Sequence, residues 1–296
     1  MSWAAKIRSS DFRAIADDAA KDGGNVAFLA ALPLEQQAEW ITRLRWLRLA
    51  DRLSENQIVE PELARFDTFR LEWRRFVVCG DTAGEHGETW QEIGASLYAP
   101  SGEPREPRAV AAWDDYLDAL REYTGHDLEL LTLQDHDRML RRLTGNAFEV
   151  FPYLRDSERE AAARFGALDQ MVNNLRDIAE DARHGLCFFP REVLDSFCVT
   201  RASILQGSAI GTRAYRAMMQ FWLDGHLPLV RSGAEAFARA SDLHPSVARM
   251  RDTCLKRYAS IERVLRDCDL NYRAFPHAYW GSHAEPESPP SSRSAA

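Results

Sequence analysis

Apolar residues recur at helical spacing along nearly the whole chain, and strand-like alternation is almost absent. "LPLEQQAEWITRLRWLRLADRLSE" opens on Pro33, which suits a first helical turn, and continues for roughly 20 residues without a breaker. "PELARFDTFRLEWRRFVV", "ETWQEIGASLYA", "RAVAAWDDYLDALREYTG", "LQDHDRMLRRLTGNAFEVF", "SEREAAARFGALDQMVNNLRDIAEDAR" and "PSVARMRDTCLKRYASIERVLRDCD" repeat the pattern. A chain so written has no sheet to fold around and must bury helix faces against one another. The fold class is all-α.

No Pro/Gly/Ser-rich linker divides the 296 residues, so one domain is expected, with a helical segment over 1–24 and a body over 25–281. The tail "SHAEPESPPSSRSAA", with 282–296 at its end, has the composition of a disordered segment. The glycine-rich "GDTAGEHG" lacks a preceding strand and a Lys-Ser/Thr pair, and reads as a loop.

A net charge of −8 argues against a nucleic-acid binder, which needs a basic face to displace counterions. Cys79, Cys187, Cys198, Cys254 and Cys268 are odd in number and form no CxxC pair, so they are expected to be reduced and mostly buried. "MSWAAKIRSSDF" lacks the apolar core of a signal peptide, and no window approaches the roughly 18 apolar residues of a membrane span. The expectation is a cytoplasmic protein.

The chemistry is concentrated in "VNNLRDIAEDARHGLCFFP". On a helix, Gly166, Gln170, Asn173, Asp177 and Asp181 fall on one stripe. Carboxylates four apart repel by a few tenths of a kcal/mol. Mg²⁺ relieves that conflict, because it takes carboxylate oxygens and shares its shell with phosphates. Asn173 adds a neutral oxygen, and Arg176 a phosphate-seeking cation. The blander reading is a solvated face of i, i+4 ion pairs, the commoner meaning of an isolated DxxxD. Gly166 weighs against it, since a mid-helix glycine costs about 1 kcal/mol relative to alanine and implies a close approach. Far upstream, "RWLRLADRLSE" repeats the spacing with Asp51, Glu55 and Arg48. Two acidic helices facing one cavity would clamp a diphosphate through shared metal.

Other motifs fall short. The histidines lack HExxH or paired zinc spacing, and "QGSAIG" is not the nucleophile elbow GxSxG. The tryptophans and phenylalanines are read mainly as core, with Phe188, Phe189 and Trp222 the exceptions to follow.

"NNLRDIAEDARHGLCFFP" closely resembles the second signature of the squalene/phytoene synthase family, N-x-L-R-D-x-x-E-D-x-x-x-G-x-x-(Y/F)-(L/F)-P. "FLAALPLEQQAEWITRLRWLRLADRLSE" resembles the first-motif region, where a helix ends in D-x-x-x-D. The resemblance implies an all-α isoprenoid synthase-like bundle around a central cavity. It also implies Mg²⁺ held by Asp51, Glu55, Asp177 and Asp181, which serve as the catalytic and metal residues. Arg48, Gln170, Asn173 and Arg176 are implied in substrate binding, with Phe188 on the flap where the family commonly has tyrosine.

Three departures qualify it. The first motif ends in Glu55 rather than aspartate. The early "S-x-S-F" becomes "NVAF", with Asn25 and Ala27 in place of the serines. "Y-C-x-x-V-A-G" becomes "MLRRLTG", so Met139 stands where tyrosine is expected, and by position Asn25 and Met139 are implied in substrate binding as well. The leaving-group machinery for one allylic diphosphate is kept, while groups for handling two are thinned. In this the chain resembles a branch that prenylates carbazole-type aromatic rings in secondary metabolism. The implied partners are an allylic prenyl diphosphate, dimethylallyl diphosphate by analogy with that branch, and an aromatic acceptor. Head-to-head condensation of two prenyl diphosphates and a non-catalytic assembly role are the alternatives.

Overall fold

The computed structural model describes residues 28–59 (side chains up to Ser54), 65–124 and 128–281. The expectations for 1–24 and for 282–296, and that for Asn25, therefore lie outside the described residues. Among the described residues no strand forms; the closest feature is an isolated bridge between Tyr98 and Pro104. No described helix is long and apolar enough to cross a membrane.

The chain runs through α1 (Leu34–Val59), α2 (Arg65–Cys79), α3 (Gly87–Leu97) and α4 (Pro107–Tyr123). Next, α5 (Leu133–Leu140) passes through a π-helical turn (Arg141–Gly145) into α6 (Asn146–Glu149), and α7 (Asp156–Arg176) follows with α8 (Ile178–Arg183). After the flap come α9 (Arg191–Ser196), α10 (Arg201–Gln206), α11 (Arg213–Gln220), a second π turn (Phe221–His226), α12 (Leu227–Gly233), α13 (Glu235–Ala238), α14 (Pro245–Asp267) and α15 (Phe275–Gly281). Local chemistry sets several starts. Thr132 and Asp135 close a capping box on α5, and Thr212 caps α11 through the amide of Tyr215.

The middle of the molecule is α7, which packs on the first π turn and on α5, α6, α12, α13 and α14. Its closest crossing is at Gly166. A Cβ there would stand 2.3 Å from the carbonyl oxygen of Thr144 and 2.9 Å from the Cα of Gly145. The close approach implied by this glycine is thus made by protein backbone. Trp40, Trp46, Trp73, Trp90, Trp113 and Trp222 are fully buried, so the aromatic residues chiefly fill the core. The cysteines depart from expectation: only Cys187 and Cys254 are buried, while Cys79 and Cys198 are exposed.

Buried charge fastens the loops. Glu106 binds Arg43 at 2.7 Å and Arg159 at 2.7 Å; Arg43 also donates to the Val150 carbonyl, and Arg159 to those of Glu149 and Leu154. This fixes the turn that carries Phe148 and Phe151. Glu72, buried on α2, accepts from the amides of Glu85 and His86 (both 3.1 Å) and from Trp90 Nε1 (3.0 Å), tying down the loop after Gly80. Desolvation pushes its carboxyl upward, but the three donated hydrogen bonds win and hold it below the ordinary range. This contribution is therefore present above the unfolded carboxyl's value near 4.3 and is lost as pH falls. Glu72→Gln is expected to destabilise the fold by about 1–3 kcal/mol at pH 7 and less at pH 4, read from thermal melts at both.

Candidate active site

α1, α4, the first π turn, α6, α7, α14 and α15 enclose a cavity of about 570 Å³. Arg48 and Asp51 reach it from α1, and Gln170, Asn173 and Arg176 from α7. Asp177, Asp181 and the flap residue Phe188 complete that side. The two acidic segments, more than a hundred residues apart in sequence, thus face the same space.

The stripe is not one straight helix. α7 ends at Arg176 and Asp177 sits at the junction, with φ −97° and ψ 8°, before α8 begins. Main-chain bonds still bridge it, Asp177 N–H to Asn173 (2.9 Å) and Asp181 N–H to Asp177 (2.8 Å). Aspartate is a weak helix former, and this is where the run yields. The flap follows Gly185, whose φ of +75° lets the chain turn without Cβ strain.

Each described acidic motif is engaged by an arginine. Arg48 donates to Asp51 at 2.9 Å, and Arg176 grips Asp177 through Nε at 2.7 Å and through Nη2. Burial disfavours the Arg176 charge, but Asp177 more than offsets it and holds the guanidinium above its ordinary range. Its other face lies over the Trp280 ring, 5.9 Å from the centroid. Asp169, buried on α7, accepts from Asn173 Nδ2 at 2.9 Å and from Arg257. Gln170 accepts from the Thr144 hydroxyl and donates to Asn174 at 2.7 Å.

These contacts leave Asn173 Oδ1 buried with no hydrogen-bond partner. With Asp51, Asp177 and Asp181 it makes an all-oxygen donor set, the kind that Mg²⁺ takes. In donor chemistry these residues suit such an ion. Glu55 lies on α1 one turn beyond Asp51, its side chain outside the described set.

Met139 is corrected on placement. It is fully buried in the apolar core and is not among the residues lining the cavity. A thioether at this position fills space between helices, as methionine commonly does. Phe189 and Trp222 also lie off the main cavity; they line a void of about 20 Å³ behind the flap, which Phe188 shares.

Several cavity residues escape sequence reasoning. Thr253, Lys256, Arg257 and Ser260 on α14, and Tyr279 and Trp280 on α15, close the mouth opposite the acidic stripe. One signal existed for Lys256: it is the only lysine beyond residue 21 in a chain otherwise supplied with arginine. Tyr116, Tyr123, Phe148 and Phe151 make the deeper wall aromatic. Cys254 lines it as a neutral thiol, pushed up to about 11 by burial.

Around one cavity the all-α bundle thus gathers carboxylates from two remote segments, cations and aromatic rings. Residues 25–279 match the family model described as squalene/phytoene synthase, and the chain belongs to that family. A phytoene synthase of Arthrospira platensis is 31% identical over 114 residues, 37% of this chain and 35% of the relative. A 15-cis-phytoene synthase of Synechococcus elongatus is 42% identical over 69 residues, 23% of this chain and 21% of the relative. The matches thus span about a third and a fifth of these curated relatives. Among solved structures, a dehydrosqualene synthase in complex with ligand superposes with a TM-score of 0.66 at 13% identity, covering 91% of this chain and 94% of that one. The squalene synthase HpnC from Alicyclobacillus acidocaldarius gives 0.58 at 17%, covering 82% and 99%. At these identities the likeness is one of fold.

Proposed function

We propose that this protein is a Mg²⁺-dependent prenyltransferase that ionises an allylic diphosphate, dimethylallyl diphosphate by the resemblance, and passes the prenyl group to a ring carbon of a carbazole-like aromatic acceptor. The observation that carries this reading is that Asp51, Asp177 and Asp181 line one cavity whose deeper wall carries Tyr116, Tyr123, Phe148 and Phe151.

The donor's C–O bond breaks and its electron pair leaves with the diphosphate. Arg48 and Arg176 lie beside that leaving group's place and answer the negative charge that grows there. Lys256, with no ion-pair partner among the described residues, adds a point charge at the mouth. Asp51, Asp177, Asp181 and the Asn173 oxygen would hold Mg²⁺, which would supply further positive charge to the diphosphate. Tyr116, Tyr123, Phe148 and Phe151 offer ring faces to an allylic cation and keep water away from it. The acceptor carbon forms the new C–C bond, and its ring proton passes to the released diphosphate, which restores aromaticity. A volume of about 570 Å³ suits one short donor with a flat acceptor, within the 300–1,000 Å³ usual for small-molecule sites.

Head-to-head condensation is the second reading, favoured by the phytoene synthase relatives and the two synthase structures. Purified protein with Mg²⁺ and dimethylallyl, farnesyl or geranylgeranyl diphosphate, each with and without carbazole, separates the two. Prenylated carbazole from the dimethylallyl donor, and no hydrocarbon from the diphosphates alone, is expected. A squalene- or phytoene-type hydrocarbon formed without the aromatic partner overturns the first reading and establishes the second.

A further inference from the structure

Behind the flap, three side chains from two remote segments converge. His136 and Asp137 are consecutive on α5, and His226 closes the second π turn. Asp137 Oδ1 lies 2.9 Å from His226 Nε2 and 3.5 Å from His136 Nδ1. One nitrogen of each ring and this oxygen all fall within 4.8 Å of one another. His136 and His226 are 2% and 3% exposed, whereas the Asp137 side chain is 50% exposed. The cluster is walled by protein on its imidazole side and reached from solvent past the carboxylate.

An ordinary histidine–aspartate pair accounts for His226 and leaves His136 unexplained. His136 Nδ1 is buried with no hydrogen-bond partner, its 3.5 Å contact to Asp137 being longer than an ordinary one. Buried polar atoms are nearly always satisfied, so this one asks for a ligand that the chain does not provide. The backbone offers a second sign. π turns gather at functional sites because the wider turn re-aims side chains. One ends on His226, and the other directly follows the helix bearing His136 and Asp137.

The donor set names the ligand. Two imidazoles and one carboxylate are a three-residue zinc set with a fourth position open, at bond lengths of about 2.0–2.2 Å. Ligand atoms around such an ion stand roughly 3.3 Å apart by tetrahedral geometry, and the observed 2.9 and 3.5 Å bracket that spacing. Mg²⁺, which prefers oxygen throughout, belongs to the acidic cavity instead.

We infer that His136, Asp137 and His226 form a second metal site, for a divalent ion of the zinc class. The ion joins α5 to the second π turn. Trp222 packs 5.0 Å from the His136 ring and 5.2 Å from that of His226, and with His136 it lines the small void shared by Phe188 and Phe189. Holding the two segments together therefore holds the apolar wall behind the flap. The inference stands apart from the prenyl-transfer reading, since no step of that reaction uses these residues.

The test uses full-length protein stripped with EDTA, then dialysed against Zn²⁺ or Co²⁺ with millimolar Mg²⁺ present. One equivalent of tightly held Zn²⁺, intense tetrahedral visible bands with Co²⁺, and a raised melting temperature with Zn²⁺ are expected. Asp137→Asn, at a half-exposed position that the fold tolerates, and His226→Gln should each weaken binding at least about tenfold, since losing even a supporting contact costs 10–100-fold. Asp177→Asn should retain the ion. Folded wild-type protein that takes up no Zn²⁺ under these conditions overturns the inference. So does uptake that survives Asp137→Asn, or that disappears with Asp177→Asn.

Discussion

On the proposed function, Asp177→Asn is expected to lower turnover of an allylic diphosphate by about 10³-fold at saturating Mg²⁺ while leaving the helical circular dichroism unchanged. The size follows from the kind of interaction removed. A preorganised group that answers transition-state charge is worth about 10²–10³ in rate, and a metal carboxylate lies at the upper end of that range. The fold survives because asparagine keeps the volume and one oxygen for Arg176, which also rests on the Trp280 ring and lies near Asp169. The melting temperature should shift by only a few degrees. Turnover within tenfold of wild type would remove Asp177 from the reaction and leave the acidic stripe as a structural ion pair with Arg176.

Gly166→Ala carries the largest expected cost in stability. The added methyl gains helix propensity, about 1 kcal/mol. Against that, it meets the Thr144 carbonyl at 2.3 Å and the Gly145 Cα at 2.9 Å, backbone atoms that cannot rotate away as a side chain would. Overpacking typically costs about 1–3 kcal/mol and occasionally more, and a clash this close against backbone belongs at or above the top of that range, about 3–4 kcal/mol. A net loss of about 2–3 kcal/mol is expected, a fall in melting temperature of roughly 5–10 °C for a domain of this size. Because Thr144 also donates to Gln170 on the cavity wall, substrate affinity should fall with stability. A variant melting within 2 °C of wild type, a margin below about 1 kcal/mol, would show that α7 slides freely over the π turn.

The acidic residues were legible because their signal is local. Carboxylates at i and i+4 share a face on any helix, whatever surrounds it, and the flanking Asn, Arg and Gly-aromatic run could be read from the same 19 letters of "VNNLRDIAEDARHGLCFFP". The same spacing picked out Asp51 and Arg48. It could not foresee the break at Asp177, where the backbone leaves helical geometry while its hydrogen bonds continue. It also assigned Met139 to the substrate side, although the π turn and the packing of α7 bury it in the core.

Residues with only a long-range signal stayed hidden. Lys256, Arg257, Tyr279 and Trp280 sit in helices whose letters look like any arginine- or aromatic-bearing surface, and they matter because α14 and α15 fold back over the stripe. His136 and His226 are 90 residues apart in sequence, so no spacing rule connects them. Periodicity belongs to a single helix and is written in adjacent letters, and so the fold class and the acidic face could be read directly. Which faces meet depends on close packing between distant segments, above all where two glycines let α7 touch the π turn. That packing gathers Asp51, Asp177 and Lys256 around one cavity and sets two buried imidazoles against one aspartate.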